Sequence, residues 1–392
     1  MRVLTTSFHF TSLTLLASAF VDPHSFTRRT MVLSGGYNAD VSRDKFFNRE
    51  TSSKGDFSGP VTKKAKILSL SDPNDKTNSA LYNGDLPDGA RLLAIGTCLE
   101  DFDVDALHAE EPNVILVSHL GARQALIQLL DAFPTVDWVH SRSAGIDFIT
   151  SEGLAAKEDV ILTNAKGIFS STLAEYTMMA CSYFAKDLPR LMRQKQSKDW
   201  NKYNVLELRG ATMGVIGYGD IGRAAAKLAK AYGMRVLALR RNPKKSTFDP
   251  YCDEVYGMEG LNKLMSESDY ILVAAPLTDE TRGMISADAL SHAKNDAVLI
   301  NVGRGPTIDE LALIESLKTG GLKGCAMDVT TIEPLPKDSP LWELENVLLS
   351  PHNMDQTATF MQESTDFFIN ENLPRYIRGL ELFNRVDKAA GY

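Results

Sequence analysis

ATMGVIGYGDIGRAAAKLAKAYGMRVLALRRN, residues 211–242, reads as strand, glycine turn, helix and strand. Thr212 to Ile216 is an apolar run short enough for a buried strand, and it leads into an Ala-rich segment with helical spacing. Gly233 stops that helix, and Val236 to Leu239 forms a second short apolar run. The turn between them, Gly217-Tyr218-Gly219-Asp220-Ile221-Gly222, is G-x-G-x-x-G in the one setting where that pattern has a physical purpose. Gly217 permits the tight turn, Gly219 lets backbone approach a pyrophosphate, and Gly222 lets the helix pack close to the sheet. The N–H groups around Asp220 and Ile221 then face the phosphates, aided by the helix dipole. The stretch implies a dinucleotide-binding α/β unit.

Working outward, 392 residues exceed one typical core, so two domains are expected. A hydrophobic share of 44% with 23% charged residues is that of an ordinary globular protein. The net charge of −8, with no long basic run, argues against nucleic-acid and anionic-membrane partners. Cys98, Cys181, Cys252 and Cys325 are scattered, with neither a C-x-x-C nor a His at ligand spacing, so no metal site or disulfide framework is signalled.

The first residues carry a different signal. Val3 to Leu16 is mostly apolar or hydroxyl-bearing and ends in Ala17-Ser18-Ala19, the outline of a signal peptide over residues 1–19. Phe20 follows directly, and the next segment has Arg28 and Arg29 among hydroxyl residues with only Asp22 as an acid. This ASAF junction resembles the bipartite presequences of algae with secondary plastids, so a plastid is the expected destination, with the secretory pathway or a mitochondrion as alternatives. A fusion of residues 1–40 to a fluorescent protein tests it, and cytosolic retention would refute it. Residues 20–60 read as transit peptide and disordered linker.

From residue 64 the chain alternates strand-like and helix-like segments, which implies parallel sheets with covered faces. AKILSL, RLLAIG, NVILVS, VDWVHS and VILTN are the early strands. STLAEYTMMACSYF, residues 171–184, is a helix with Ser170 or Ser171 expected as its N-cap. After residue 242, DYILVAAPL ends near Pro276, NDAVLINVGRG ends at Arg304, KGCAMDV carries Asp328, and Val347 to Leu349 is the last strand. The tail from Thr357 to Gly379 has helical spacing.

In open parallel sheets, ligands gather beyond the carboxyl ends of the strands. Arg304, Asp328, Glu333 and His352 all fall at or just after such ends. An Arg, a carboxylate and a His there suit chemistry on a 2-keto or 2-hydroxy acid. The Arg304 fork can hold a carboxylate, His352 can give a proton to a carbonyl oxygen as hydride arrives, and Glu333 can accept from the other imidazole nitrogen.

With these stretches in view, residues 64 to 380 resemble the D-isomer-specific 2-hydroxyacid dehydrogenases. GVIGYGDIGR, PLTDETRGMI, LINVGRG, AMDVTTIEPLP and SPLWELENVLLSPH, with SAGID and TLAEYT earlier, carry the likeness in family order. The resemblance implies Arg304 as substrate-binding and catalytic Arg, Glu333 as partner of His352, and His352 as acid/base. It implies Gly217, Gly219, Asp220, Ile221, Gly222, Pro276, Val302 and Asp328 on the cofactor, with Asp328 at the nicotinamide carboxamide, and Ala144 and Gly145 on the substrate carboxylate. It also implies a Rossmann-type doubly wound cofactor domain, residues 167–350, and a discontinuous flavodoxin-like substrate domain, 61–166 rejoined by 351–392. Homodimers built through the cofactor domain are usual in the family.

Three stretches depart from the family pattern. At the end of the second strand, 23 residues after Gly217, NAD-binding members carry an acid, whereas this chain has Arg240 and then Arg241. An acid would repel a 2′-phosphate and two guanidiniums attract it, so NADP(H) is favoured, with NAD(H) as the alternative. Past His352, where the family often has Ala-Gly, this chain has Asn353-Met354-Asp355, and an acid so close can narrow the pocket. Thr330 stands where an aromatic is common, a change expected to touch no chemical role. The expected function is NADPH-dependent reduction of small 2-keto acids, glyoxylate and hydroxypyruvate first. A 3-phosphoglycerate dehydrogenase-like enzyme, the long form being less expected with no regulatory domain after Tyr392, and a nucleotide-sensing corepressor or scaffold are the alternatives.

Overall fold

The computed structural model describes residues 57, 59–82, 86–118 and 121–388. The plastid presequence reading lies outside them. Among the described residues no helix is long and apolar enough to cross a membrane, and no group of His, Cys, Asp and Glu is arranged to hold a metal ion.

Two parallel sheets organise the chain. The first contains β1 (Ala65–Leu70), β2 (Ala90–Gly96), β3 (Val114–Val117), β4 (Trp138–Ser141) and β5 (Ile161–Thr163), in the order β2-β1-β3-β4-β5, which is the flavodoxin-like arrangement. The second contains β6 (Thr212–Ile216), β7 (Arg235–Leu239), β8 (Glu254–Tyr256), β9 (Tyr270–Val273), β10 (Val298–Asn301), β11 (Gly324–Met327) and β12 (Val347–Leu349). Its order, β12-β11-β10-β9-β6-β7-β8, reverses direction between β6 and β9. That reversal is the switch point at which doubly wound sheets bind nucleotides. Every residue of β3, β4, β6, β9, β10 and β11 is buried, as expected of parallel strands covered on both faces.

The C-terminal segment packs on the first sheet. Phe360–Phe367 is a helix, Phe368–Asn372 a π-helical turn, and Leu373–Ile377 a final helical turn. Pro374 has no N–H to give to the preceding turn, and the widened turn sits directly before it. Phe368 and Tyr376 stack on Trp138 of β4, with ring centroids 5.3 and 4.8 Å away. Val386 donates to the Leu162 carbonyl at 2.8 Å, tying the last residues to β5.

One reading changes in detail. The helix Ser170–Ala185 is capped by Phe169, without a side-chain cap, so neither Ser170 nor Ser171 is the N-cap. Phe169 stacks on Phe360 at 4.4 Å, and this apolar anchor sets where the chain enters the helix. The cysteines are unpaired, but only Cys181 and Cys325 are buried.

Candidate active site

The glycine turn has the shape its sequence requires. Gly217 has φ +93°, the left-handed region where a side chain is strained, and a methyl there would lie 2.5 Å from the Ala275 nitrogen beyond β9. At Gly222 a methyl would lie 2.5 Å from the Gly217 carbonyl oxygen and 2.8 Å from Val215. At Gly219 a methyl would meet nothing within 4 Å, so this one glycine faces open space above the start of the helix Asp220–Ala231. A pyrophosphate fits there, against first-turn N–H groups, Asp220 and Ile221 among them, that have no intrahelical partner. The Asp220 carboxylate points toward Lys166, 3.6 Å away.

Around this cradle, Pro276 is exposed past β9, while Val302 is buried past β10 with its N–H on the Val273 carbonyl at 3.0 Å. Asp328, at the end of β11, is buried. Its Oδ1 accepts from Ser350 Oγ at 2.7 Å and from the Asn353 N–H at 3.2 Å. The Tyr176 hydroxyl lies 3.2 Å from Ser350 Oγ, and burial pushes its pKa up to about 12, so it stays protonated.

The proposed acid and its partner meet. His352 Nδ1 lies 2.7 Å from Glu333 Oε2. A carboxylate only accepts, so the proton sits on Nδ1, and Nε2 is left to exchange a proton with a ligand. The other Glu333 oxygen accepts from the Thr330 N–H at 3.0 Å. This contact is made by the Thr330 backbone, so it does not depend on the side chain that stands in place of the usual aromatic. His352 holds φ +51°, a conformation that non-glycine residues adopt at some cost and that is frequent where a side chain must be aimed. Its N–H bonds to the Asp328 carbonyl at 2.9 Å, which locks the ends of β11 and β12 together.

Arg304 follows β10 and crosses to the first sheet's loops. Its Nε and Nη2 both donate to Asp147 Oδ1, at 3.1 and 2.9 Å, and Nη1 donates to the Gly303 carbonyl at 2.8 Å. A side chain at Gly145 would collide with this guanidinium, so Gly145 gives Arg304 its room. The neighbouring Ala144 carbonyl is fixed by Asn164 Nδ2 at 2.7 Å. Burial works to raise the Asp147 pKa, but the charge and hydrogen bonds of Arg304, with His352 adding to them, outweigh it and hold the carboxyl below its usual range. Arg304, paired with Asp147, leaves β10 beside β11, whose end carries the Asp328 carbonyl that holds the His352 N–H, and this strand pairing puts Arg304 and His352 at one end of the sheet.

Sequence reasoning passed over Asp147, although it stands inside the SAGID stretch, and over Arg142 just before it. Arg142 is fully buried. It donates to Asn78 Oδ1 at 2.6 Å and to the Met361 carbonyl at 3.2 Å, and it lies 3.5 Å from Asp75 Oδ2, so it pins the base of the 143–147 loop to the C-terminal segment. An Arg at the end of an otherwise buried strand was the available signal.

Arg240 and Arg241 lie at the end of β7, on the nucleotide side of the switch point. Arg240 donates to Ser246 Oγ, and Arg241 Nη2 pairs with Glu280 Oε2 at 2.8 Å. Lys244 and Lys245, both exposed, occupy the next turn. Asp355, three residues past His352, has an Oδ1 that is sealed from solvent without a hydrogen-bond partner among the described residues.

Comparison with known proteins agrees with this geometry. Residues 178–353 match the model of the D-isomer specific 2-hydroxyacid dehydrogenase NAD binding domain. Over 305 residues the chain is 32% identical to a glyoxylate reductase of Korarchaeum cryptofilum, covering 71% of this chain and 88% of that protein. It is 34% identical over 244 residues to a D-3-phosphoglycerate dehydrogenase of Methanocaldococcus jannaschii, covering 60% of this chain and 44% of that protein. Among solved structures, a D-isomer specific 2-hydroxyacid dehydrogenase from Xanthobacter autotrophicus in complex with NADPH and MES superposes with a TM-score of 0.70 at 29% identity, covering 84% of this chain and all of that one. The glycine cradle, the paired His352 and Glu333, and these matches together make the chain a member of the D-isomer-specific 2-hydroxyacid dehydrogenase family, an NAD(P)-dependent α/β oxidoreductase.

Proposed function

We propose that the protein reduces small 2-keto acids, glyoxylate and hydroxypyruvate first, to 2-hydroxy acids with NADPH, and that His352 is the general acid. The observation that carries this is the convergence of Arg304 with the bonded pair His352–Glu333 beside a dinucleotide turn whose second strand ends in two arginines. NADPH, when bound, supplies the hydride. Arg304 holds the substrate carboxylate against the Ala144-Gly145 loop, and His352 Nε2 hands its proton to the carbonyl oxygen as charge builds there. Glu333 keeps the ring oriented and stabilises the imidazolium before transfer. Asp328, fixed at Oδ1 by Ser350, would hold the nicotinamide carboxamide. Likeness to glyoxylate reductases supports the substrate class, and likeness to a phosphoglycerate dehydrogenase supports the second reading, oxidation of a phosphorylated hydroxy acid. A panel of keto acids assayed with NADPH and NADH decides between them. No turnover of any keto acid with either cofactor would leave the scaffold reading standing.

Arg304→Lys is expected to be damaging although charge is kept, because a point charge cannot grip a carboxylate with two parallel bonds. Both the Michaelis constant and the rate should worsen. A Lys variant close to wild type would mean that the carboxylate is held elsewhere, with the Ala144-Gly145 loop as the first candidate.

The homodimer belongs to the same reading. The helix Leu188–Ser197 buries none of its residues, and Met192, Trp200, Val205 and Leu206 around it are exposed, Trp200 to 94%. Apolar surface of this kind is normally covered by a partner. Light scattering should give the mass of two chains for the wild type and of one for Met192→Glu with Trp200→Ser. A monomeric wild type would end the proposal.

A further inference from the structure

Resting on that reading, we infer that Asn384, in the C-terminal tail, is a positioning residue for the substrate carboxylate: it grips residues 164–166, and through Asn164 it keeps the Ala144-Gly145 peptide turned to receive that group.

The tail runs beside the edge of the first sheet. Arg385 forms an antiparallel bridge with Thr163, the Val386 N–H donates to the Leu162 carbonyl at 2.8 Å, and the Lys388 ammonium donates to the Val160 carbonyl at 2.8 Å. These contacts are enough to cover the edge of β5. Asn384 adds something that edge cover does not require. Its φ of +56° is a left-handed conformation that Asn accepts more readily than most residues. From there Nδ2 gives hydrogens to the Asn164 carbonyl at 3.0 Å and the Lys166 carbonyl at 2.7 Å, while the Asn384 carbonyl accepts from the Asn164 N–H at 3.2 Å. A residue 220 positions away in sequence thus fixes the stretch between β5 and the helix Ser170–Ala185.

Asn164 passes that order on to the substrate loop. It is buried, its Nδ2 donates to the Ala144 carbonyl at 2.7 Å, and its Oδ1 accepts from the Lys166 N–H at 3.2 Å. In a trans peptide the carbonyl and the following N–H point in opposite directions, so holding the Ala144 carbonyl toward Asn164 turns the Gly145 N–H the other way. The N–H groups of Ala144 and Gly145 take no acceptor among the described residues, and both residues are partly exposed. The same peptide lies against the Arg304 guanidinium, with which a side chain at Gly145 would collide. A carboxylate held by Arg304 is then beside an N–H whose direction is set by Asn164, and the seat of Asn164 is set by Asn384.

Asn384→Gly tests this gently, because Gly takes φ +56° without strain and only the side-chain amide is lost. With NADPH bound, calorimetry should show the affinity for oxamate, a non-reacting keto-acid analogue, falling about three- to tenfold, the range of one net hydrogen bond. The Michaelis constant for glyoxylate should rise by a similar factor, while kcat and the affinity for NADPH stay within about twofold, the pattern of lost uniform binding. Asn164→Ala should weaken oxamate at least as much, and adding Asn384→Gly to it should weaken oxamate no further, because both changes act on one peptide. Hydrogen exchange of the unliganded protein should be faster at residues 143–147 in Asn384→Gly and unchanged at 212–222. Lys388→Met, which cuts an edge contact and spares the amide, should leave oxamate affinity as it was. If the Gly variant fails to fold, Asn384→Asp, of the same shape but without the two donors, is judged by the same criteria. Unchanged oxamate affinity, additive losses in the double variant, an equal loss of NADPH affinity, or a Lys388→Met loss as large as that of Asn384→Gly would each overturn the inference. A wild type that binds no oxamate and turns over no keto acid is a different failure: it sinks the functional reading and the carboxylate with it, and the exchange result then judges the grip of Asn384 on the loop by itself.

Discussion

Replacing His352 with Gln is expected to cut turnover a hundredfold or more while the affinity for NADPH barely moves. A positioned general acid contributes about 10²–10⁴-fold, and Gln has no proton to give at neutral pH. The substitution is otherwise gentle. A Gln amide can still donate toward Glu333 Oε2, which His352 Nδ1 now approaches at 2.7 Å, so the Glu333 carboxylate is not abandoned. The His352 N–H bond to the Asp328 carbonyl is a backbone contact that the variant retains, and Gln, unbranched at Cβ, can take φ +51° although His is favoured there. The glycine cradle lies after β6, four strands along the same sheet from β12. Stopped-flow turnover with fluorescence titration of NADPH separates the two quantities. Near-normal turnover would remove His352 from the mechanism, and a large loss of cofactor affinity would make its role structural.

The parts of this fold that were legible are those in which one residue type has one physical use. Gly217 and Gly222 stand where any side chain would collide with backbone, and the strands around them are buried on both faces, so glycine spacing and short apolar runs pointed to the same unit. His352, Glu333 and Arg304 could be singled out because each falls at or just after a strand end, although only the folded chain shows that His352 and Glu333 touch. What escaped was whatever lacked a buried face or depended on distant contacts. The helix Leu188–Ser197 has no buried residue, its few apolar side chains standing among charged and polar ones, and β8 is a three-residue edge strand that is nowhere fully buried. The Arg304–Asp147 contact joins residues 157 apart in the chain, and no local pattern announces it. Asp355 was visible as an oddity after the His, but its missing partner is a property of packing alone.

The cofactor proposal makes the second large prediction. Arg240→Asp with Arg241→Ala should invert the preference from NADPH to NADH. Both guanidiniums sit where β7 ends, and the exposed Lys244 and Lys245 follow on the next turn, so the rim of the adenosine side is basic. Arg241 is engaged with Glu280, but the pair is half exposed on one side and more on the other. Exposed pairs contribute about 0–1 kcal/mol, so a doubly charged phosphate readily draws Arg241 away. Charge-assisted bonds to such a group are worth roughly 1.5–3 kcal/mol each, and losing both should weaken NADPH by one to several powers of ten. Removing Arg241 also strips Glu280 of a partner, which adds repulsion in the same direction. NADH lacks the phosphate and loses nothing by the change, while the carboxylate introduced in place of Arg240 can accept from the ribose hydroxyls. In the unmodified enzyme, rising ionic strength should weaken NADPH more than NADH, because the discriminating contact is exposed and screened. Specificity constants for both cofactors, measured before and after the change at low and high salt, give the answer. An unmodified enzyme that prefers NADH, or a double variant that leaves the ratio unmoved, would make the two arginines surface charges without a part in cofactor choice.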